Sequence, residues 1–330
     1  MTESGLAIWT GGLHRVFDRV HAVRGVDIAV APGEIYGFLG PNGAGKTTTL
    51  RVLTTLLLPS AGRAKVAGFD VVSEAARVRL KIGTALQDVG LDPKQTGLEL
   101  LRLQGYLYGL SRRDANRRIA ELEHLIDIGD AIKRLIGTYS GGMKRRLDLA
   151  ASLIHSPEIL FLDEPTTGLD PISRARVWEH IRSVNRELGV TIFLTTQYLE
   201  EADALADRVG IIDEGVLAVE GTPRELKRDI GSDVIVVSVD DPVIALKTLQ
   251  GLPWAGQIDT FGHELSVAAP GGSRQISEVA IALAQAGVEV DALTLRTPTL
   301  DDVFLHVTGA RMSGGAEPAA PAKLESVGGH

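Results

Sequence analysis

Gly40-Pro41-Asn42-Gly43-Ala44-Gly45-Lys46-Thr47-Thr48 is the stretch whose reading decides the fold. It satisfies G-x-x-x-x-G-K-[ST] at every fixed position. The apolar run EIYGFL precedes it and the helix-compatible run TTLRVLTTLL follows it, so the loop falls between a strand and a helix. The three glycines free the backbone to curl around a phosphate, and the helix N-terminus behind adds partial positive charge. Lys46 is placed to reach the outer phosphates of a nucleotide, and the Thr47 hydroxyl to ligate Mg²⁺.

Downstream, the run ILFLDEP ends in Asp163-Glu164. Apolar residues running into two carboxylates describe a buried strand with acids at its C-terminal end, the edge where open parallel sheets bind ligands. Asp163 suits a metal-holding role, through water, and Glu164 suits orienting or deprotonating an attacking water.

Outward from these motifs, up to about residue 225, strand-like runs (33–40, 158–165, 190–197 and 208–215) alternate with helix-like stretches. That alternation predicts an α/β fold with a mainly parallel sheet covered on both faces. Residues 97–157 read instead as a helical insert, and 209–221 as a hairpin turning at Asp213-Glu214-Gly215. After a short helix and link (221–231), a strand, helix, strand, helix, strand pattern predicts a small α+β domain over 232–310. The segment 311–330 is rich in Gly, Ala and Pro without periodicity and is expected to be a disordered tail.

The 330 residues suffice for one large domain or two moderate ones, and 44% apolar with 23% charged is globular usage. Net charge is −8, which argues against a nucleic-acid partner bound through bulk charge. No cysteine occurs, so thiolate chemistry is excluded, and the histidines lack metal spacing. No window approaches the apolar length of a membrane span, and the first residues do not read as a secretory signal. A cytosolic chain is expected, joined to any membrane only through a partner.

Tyr139-Ser140-Gly141-Gly142-Met143 stands before a helical run closing ahead of Pro157. Ser then Gly-Gly at a helix start is either a second anion site or an ordinary Ser N-cap with flexible glycines; spacing alone leaves both open.

Taken together, these motifs resemble the ATP-binding subunits of ABC transporters over roughly residues 5–225. GPNGAGKTT resembles Walker A, ILFLDEP Walker B, and YSGGM the signature LSGGQ, from which Tyr139 and Met143 depart. Leu86-Gln87 resembles the Q-loop and Thr167–Asp170 the D-loop. The resemblance implies a P-loop NTPase core with a helical subdomain, and ATP and Mg²⁺ as ligands. It implies that Thr47, Gln87 and Asp163 attend the metal, and that Lys46, Gln87, Glu164 and Gln197 are the catalytic set. Residues 40–48 would hold ATP, with Phe17 stacking on adenine; a place in a small N-terminal core is the lesser alternative for Phe17. It further implies two ATPs between two such chains, each closed by the Ser140, Gly141 and Gly142 of the other, with Asp170 in the D-loop.

Gln197 stands where this family usually has a His. A glutamine amide still donates and accepts hydrogen bonds, but it cannot become a cation near neutral pH. Either it makes the phosphate contact without charge, or the site hydrolyses slowly; the intact Glu164 favours an active site. The stretch TTQYLEEAD, and TLDDVFLH at 299–306, are similar to drug-export ATPases of the daunorubicin-resistance type. The latter stretch reads as an amphipathic helix with Leu300, Val303, Phe304 and Val307 on one face, docking against the main domain or a partner subunit.

The function expected is ATP-driven export of a drug-like or amphipathic molecule. The chain would sit on the cytoplasmic side of the membrane as a homodimer on a separate permease. Export of a lipid or other non-drug substrate is the alternative, as is a soluble ABC ATPase of DNA repair or translation. The chain between Gln87 and Ser140 is too short for a long coiled coil and has no heptad pattern, and there is one ATP-binding half, which disfavour the soluble reading.

Overall fold

The computed structural model describes residues 5–309 except 88–89, 232, 257 and 270–271. The tail expected at 311–330 lies outside the described residues. The chain divides after Gly221, and Thr222–Ala310 form a second unit.

In chain order the first unit contains β1 (Ile8–Phe17), β2 (Val20–Val30), β3 (Ile35–Leu39), α1 (Lys46–Leu53), β4 (Ala61–Val66) and β5 (Phe69–Asp70). Next come α2 (Ala75–Lys81), β6 (Ile82–Ala85), α3 (Gly97–Leu107), α4 (Arg112–Ile126), α5 (Gly141–Leu153) and β7 (Ile159–Asp163). The unit closes with α6 (Pro171–Leu188), β8 (Thr191–Thr196), α7 (Leu199–Leu205), β9 (Arg208–Asp213) and β10 (Val216–Gly221). Six strands form one sheet in the order β10-β9-β3-β8-β7-β6, parallel from β9 to β6.

The parallel strands are near-continuous apolar runs because both faces are covered. Successive side chains alternate between two cores. Tyr36, Phe38, Phe161 and Phe193 pack with residues of β1, β2, β4 and α1, and their ring centroids lie 5.5–5.7 Å from Phe193. Leu160, Leu162, Ile192 and Leu194 face the other way, into the helices α3 to α6. The predicted helical insert is therefore a layer with its own share of core.

A second sheet, β2-β1-β4-β5, is antiparallel and was not foreseen. Its strands alternate weakly because β1 is bulged at three places against β2, and Gly11 and Gly12 interrupt the pattern. The hairpin β9–β10 turns at Glu214 (φ 45°) and Gly215 (φ 84°). Positive φ at both central residues matches the twist of the flanking strands.

The second unit holds α8 (Pro223–Ile230), β11 (Asp233–Val239), α9 (Pro242–Gln250), β12 (Ile258–Phe261), β13 (Glu264–Ala269), α10 (Ser273–Gln285), β14 (Val290–Arg296) and α11 (Leu300–Thr308). Its antiparallel sheet runs β12-β13-β11-β14. Three strands and two helices lie where the sequence pattern put them, and β12, short and mostly exposed, is additional. The apolar face of α11 buries Leu300, Val303 and Phe304, and α11 packs on α8 within this unit. Val307 is only partly buried.

Candidate nucleotide site

β3 ends at Leu39 and runs directly into the phosphate loop. Gly45 has φ 106°, and a Cβ there would lie 2.3 Å from the Ala22 carbonyl oxygen. A Cβ on Gly40 would lie 2.3 Å from the Ile212 carbonyl oxygen. β2 and β9 thus crowd the loop from two sides, and only glycine fits. The hairpin tip fixes the loop further: Gly215 N–H donates to the Ala44 carbonyl at 3.0 Å, and Arg24 N–H donates to Gly215 O at 2.7 Å.

Lys46 opens α1 with its side chain folded back over the loop. Its ammonium donates to Gly40 O at 2.7 Å and Pro41 O at 3.0 Å and lies 3.6 Å from Glu164 Oε1. The side chain is 4% exposed. Burial lowers the Lys46 pKa, and the charges of Glu164 and Asp163 oppose that without cancelling it. A desolvated cation at a helix N-terminus gains most from an anion placed against it.

The two carboxylates lie where β7 ends. Asp163 Oδ1 accepts from Thr195 Oγ1 at 2.6 Å and from Thr47 Oγ1 at 3.1 Å. Glu164 holds φ 46°, which is strained for a residue with a side chain. Its N–H donates to Thr195 O at 3.0 Å and Oγ1 at 3.1 Å. Its Oε2 accepts from Thr167 Oγ1 at 3.2 Å and Gln87 Nε2 at 3.3 Å.

Lys46, Thr47, Gln87, Asp163 and Glu164 therefore converge from three separate segments on one sheet edge. The donor set suits a hard divalent ion. The Thr47 hydroxyl lies 3.1 Å from the Asp163 carboxylate, so oxygen donors of the kind such an ion takes are already side by side.

Ser140 and Gly141 are exposed at the start of α5, and Gly142 is buried. Ser140 Oγ accepts from Met143 N–H at 3.3 Å, so the residue is an N-cap whatever else it does. Asp170 caps α6 in the same way, accepting from Ser173 N–H at 2.9 Å, and the Ser173 hydroxyl together with that N–H lowers its pKa. Phe17 ends β1 at 40% exposure with the Arg15 guanidinium 4.3 Å from its ring centroid, so it is not part of a core. Gln197 is half-buried one residue past β8. Among the described residues no hydrogen bond joins Phe17, Ser140, Asp170 or Gln197 to the Lys46–Glu164 cluster. Tyr139 departs from the signature for a visible reason: its ring is buried and its hydroxyl donates to Ala131 O at 2.5 Å.

Two further residues build the site. Thr195 bridges Asp163 to the backbone of Glu164, as above. Arg145, 6% exposed on α5, donates to Leu86 O at 2.6 Å, Pro165 O at 2.9 Å and Asp163 O at 3.1 Å. It clamps the segments carrying Gln87 and Glu164 to the signature helix. In sequence Arg145 reads as surface charge after Lys144, and Thr195 as one more strand residue; only the buried helix pattern around Arg145 hinted otherwise.

The ABC transporter family profile matches residues 23–167, and a profile described as the C-terminal domain of DrrA1-3-like ATP-binding proteins matches residues 221–308. The chain is 48% identical over 308 residues to a daunorubicin resistance ATP-binding protein, DrrA3, of Streptomyces coeruleorubidus, covering 92% of this chain and 96% of that one. It is 44% identical to the daunorubicin/doxorubicin resistance ATP-binding protein DrrA of Streptomyces peucetius, covering 93% and 94%. Among solved structures it is similar to cbiO1 of Clostridium perfringens, part of the ABC transporter complex cbiONQ. The TM-score there is 0.64 at 25% identity, covering 76% of this chain and 97% of that one.

Proposed function

The chain belongs to the ABC transporter family of ATP-binding proteins and is an ATPase of that family, and from this premise we propose that it powers efflux of a drug-like, amphipathic molecule through a separate membrane permease. The observation carrying the reading is the convergence of Lys46, Thr47, Gln87, Asp163 and Glu164 on the C-terminal edge of the parallel sheet. The resistance proteins to which most of the chain is similar support the drug-like substrate.

In this reading Lys46 leaves its two loop carbonyls for the β- and γ-phosphates. Thr47 and Gln87, with Asp163 through water, would hold Mg²⁺, which would shield the phosphate charge when bound. Glu164, held between Gln87 and Thr167, accepts a proton from the attacking water. Gln197 donates to the γ-phosphate from the end of β8. A purine stacks on Phe17 against the face opposite Arg15. Ser140 and Gly141, turned to solvent, serve the nucleotide of a second copy, and the Asp170 loop lies beside them. The chain then works on the cytoplasmic face of the membrane as a homodimer. Leu103, Tyr106 and Leu107, exposed on α3, offer the permease an apolar surface.

Co-purification tests this. A polytopic membrane protein should accompany the tagged chain, and deletion should sensitise cells to an amphipathic drug. ATP-dependent binding to ribosomes or DNA instead would overturn the export reading.

A further inference from the structure

Glu201, on α7, is fully buried, and among the described residues its hydrogen bonds go to none of the groups placed at the phosphates. Its Oε1 accepts from Thr166 Oγ1 at 2.8 Å and from Trp178 Nε1 at 2.9 Å. Its Oε2 has no hydrogen-bond partner. Thr166, itself fully buried, sits two residues after Glu164 and four before Asp170. Trp178 is on α6, the helix that Asp170 caps. Glu201 follows Gln197 by four residues, on the first helix turn beyond β8. On the same side, the Arg174 guanidinium of α6 lies 4.4 Å from the ring centroid of Tyr198, next to Gln197.

A buried carboxylate with one oxygen unpaired is a poor way to gain stability, since an apolar residue of the same size would avoid the desolvation. Burial does push the Glu201 carboxyl's pKa up, against the nearby Thr196 and Thr166 hydroxyls, the Trp178 N–H and the charge of Arg174. What the carboxyl achieves is a junction. It ties the turn that carries Glu164 and Asp170 to the segment that carries Gln197.

We propose that Glu201 is a positioning residue for hydrolysis, holding the Glu164–Asp170 turn in register with the Gln197 segment through Thr166 and Trp178. The proposal rests on Glu164 and Gln197 acting at the γ-phosphate.

Steady-state ATP hydrolysis and fluorescent-nucleotide binding by the full chain test it, for Glu201→Ala, Glu201→Gln and Thr166→Val. Glu201→Ala should lower kcat at least tenfold while KM and nucleotide affinity stay within about threefold. Glu201→Gln, which keeps an oxygen acceptor for Thr166 and Trp178, should recover most of the loss. Thr166→Val, a smaller change, should lower kcat severalfold and decides the matter if Glu201→Ala does not fold. Unchanged kcat in the folded variants would overturn the proposal, as would a kcat loss that only tracks lost nucleotide binding. Glu164→Gln, run alongside, separates the premise. If that variant hydrolyses at the wild-type rate the role of Glu164 fails, whatever the Glu201 variants do.

Discussion

The chain has two regions suited to phosphate, and they are finished to different degrees. At the sheet edge Lys46 is 4% exposed, Asp163 is buried, and each carboxylate has two or more partners from other segments. At the start of α5, Ser140 and Gly141 face solvent with only the helix's own N–H groups to satisfy. Arg145 joins the two, since it lies on α5 and grips the backbone of Leu86, Asp163 and Pro165. The difference teaches that the side chains of one region satisfy one another within the chain, while the other leaves Ser140 and Gly141 open to solvent.

Disabling the finished region should have the largest effect. Glu164→Gln should lower kcat by about 10²–10⁴-fold while ATP binding persists, the usual range for removing a positioned base. Lys46→Ala should cost a comparable factor and also weaken nucleotide binding, because its positive charge meets the phosphates in the ground state and more strongly in the transition state. Filter binding with labelled ATP separates the two.

Ser140→Arg addresses the exposed region. A bulky cation there should lower hydrolysis by about 10²-fold, yet leave ATP affinity of the single chain unchanged, since no Ser140 contact reaches Lys46 or Asp163. Reduced affinity in dilute protein would merge the two regions into one and break the comparison. Gln197→Ala should have a milder effect, about tenfold in kcat, as loss of one neutral donor. An unchanged rate would mark Gln197 as a bystander.

The smallest effect is on stability and concerns the joint. Burial raises the Asp148 pKa to about 6, with Arg145 at 3.2 Å opposing the shift. The folded chain therefore favours the protonated form. That stabilisation is present below the unfolded value near 4 and fades as pH rises through about 6. Asp148→Asn should flatten the fall in stability between about pH 4 and 6, followed by urea unfolding at each pH. An unchanged slope would show that Asp148 stays ionised beside Arg145.

What the sequence made legible follows the same contrast. The parallel strands are buried on both faces, so β3, β7, β8 and β9 stand out as unbroken apolar runs. The phosphate loop and acidic pair are contiguous, and proximity in sequence kept their residue chemistry together. The antiparallel sheet did not stand out, because bulges and glycines in β1 break the two-residue alternation. Thr195, Arg145 and Glu201 could not be picked out, since each acts through partners far away in sequence. The α11 motif was read as an amphipathic helix, and it is one. It packs on α8 of its own unit, a neighbour that the sequence reading did not name.

The central claim is that the exposed start of α5 completes the site of a second chain around ATP. Sedimentation velocity of the Glu164→Gln chain, with and without ATP, tests it most directly. The account predicts a single-chain species without nucleotide, a two-chain species with ATP, and loss of that species when Ser140→Arg is added. A chain that stays single with ATP bound, or a two-chain species indifferent to Ser140→Arg, would contradict it.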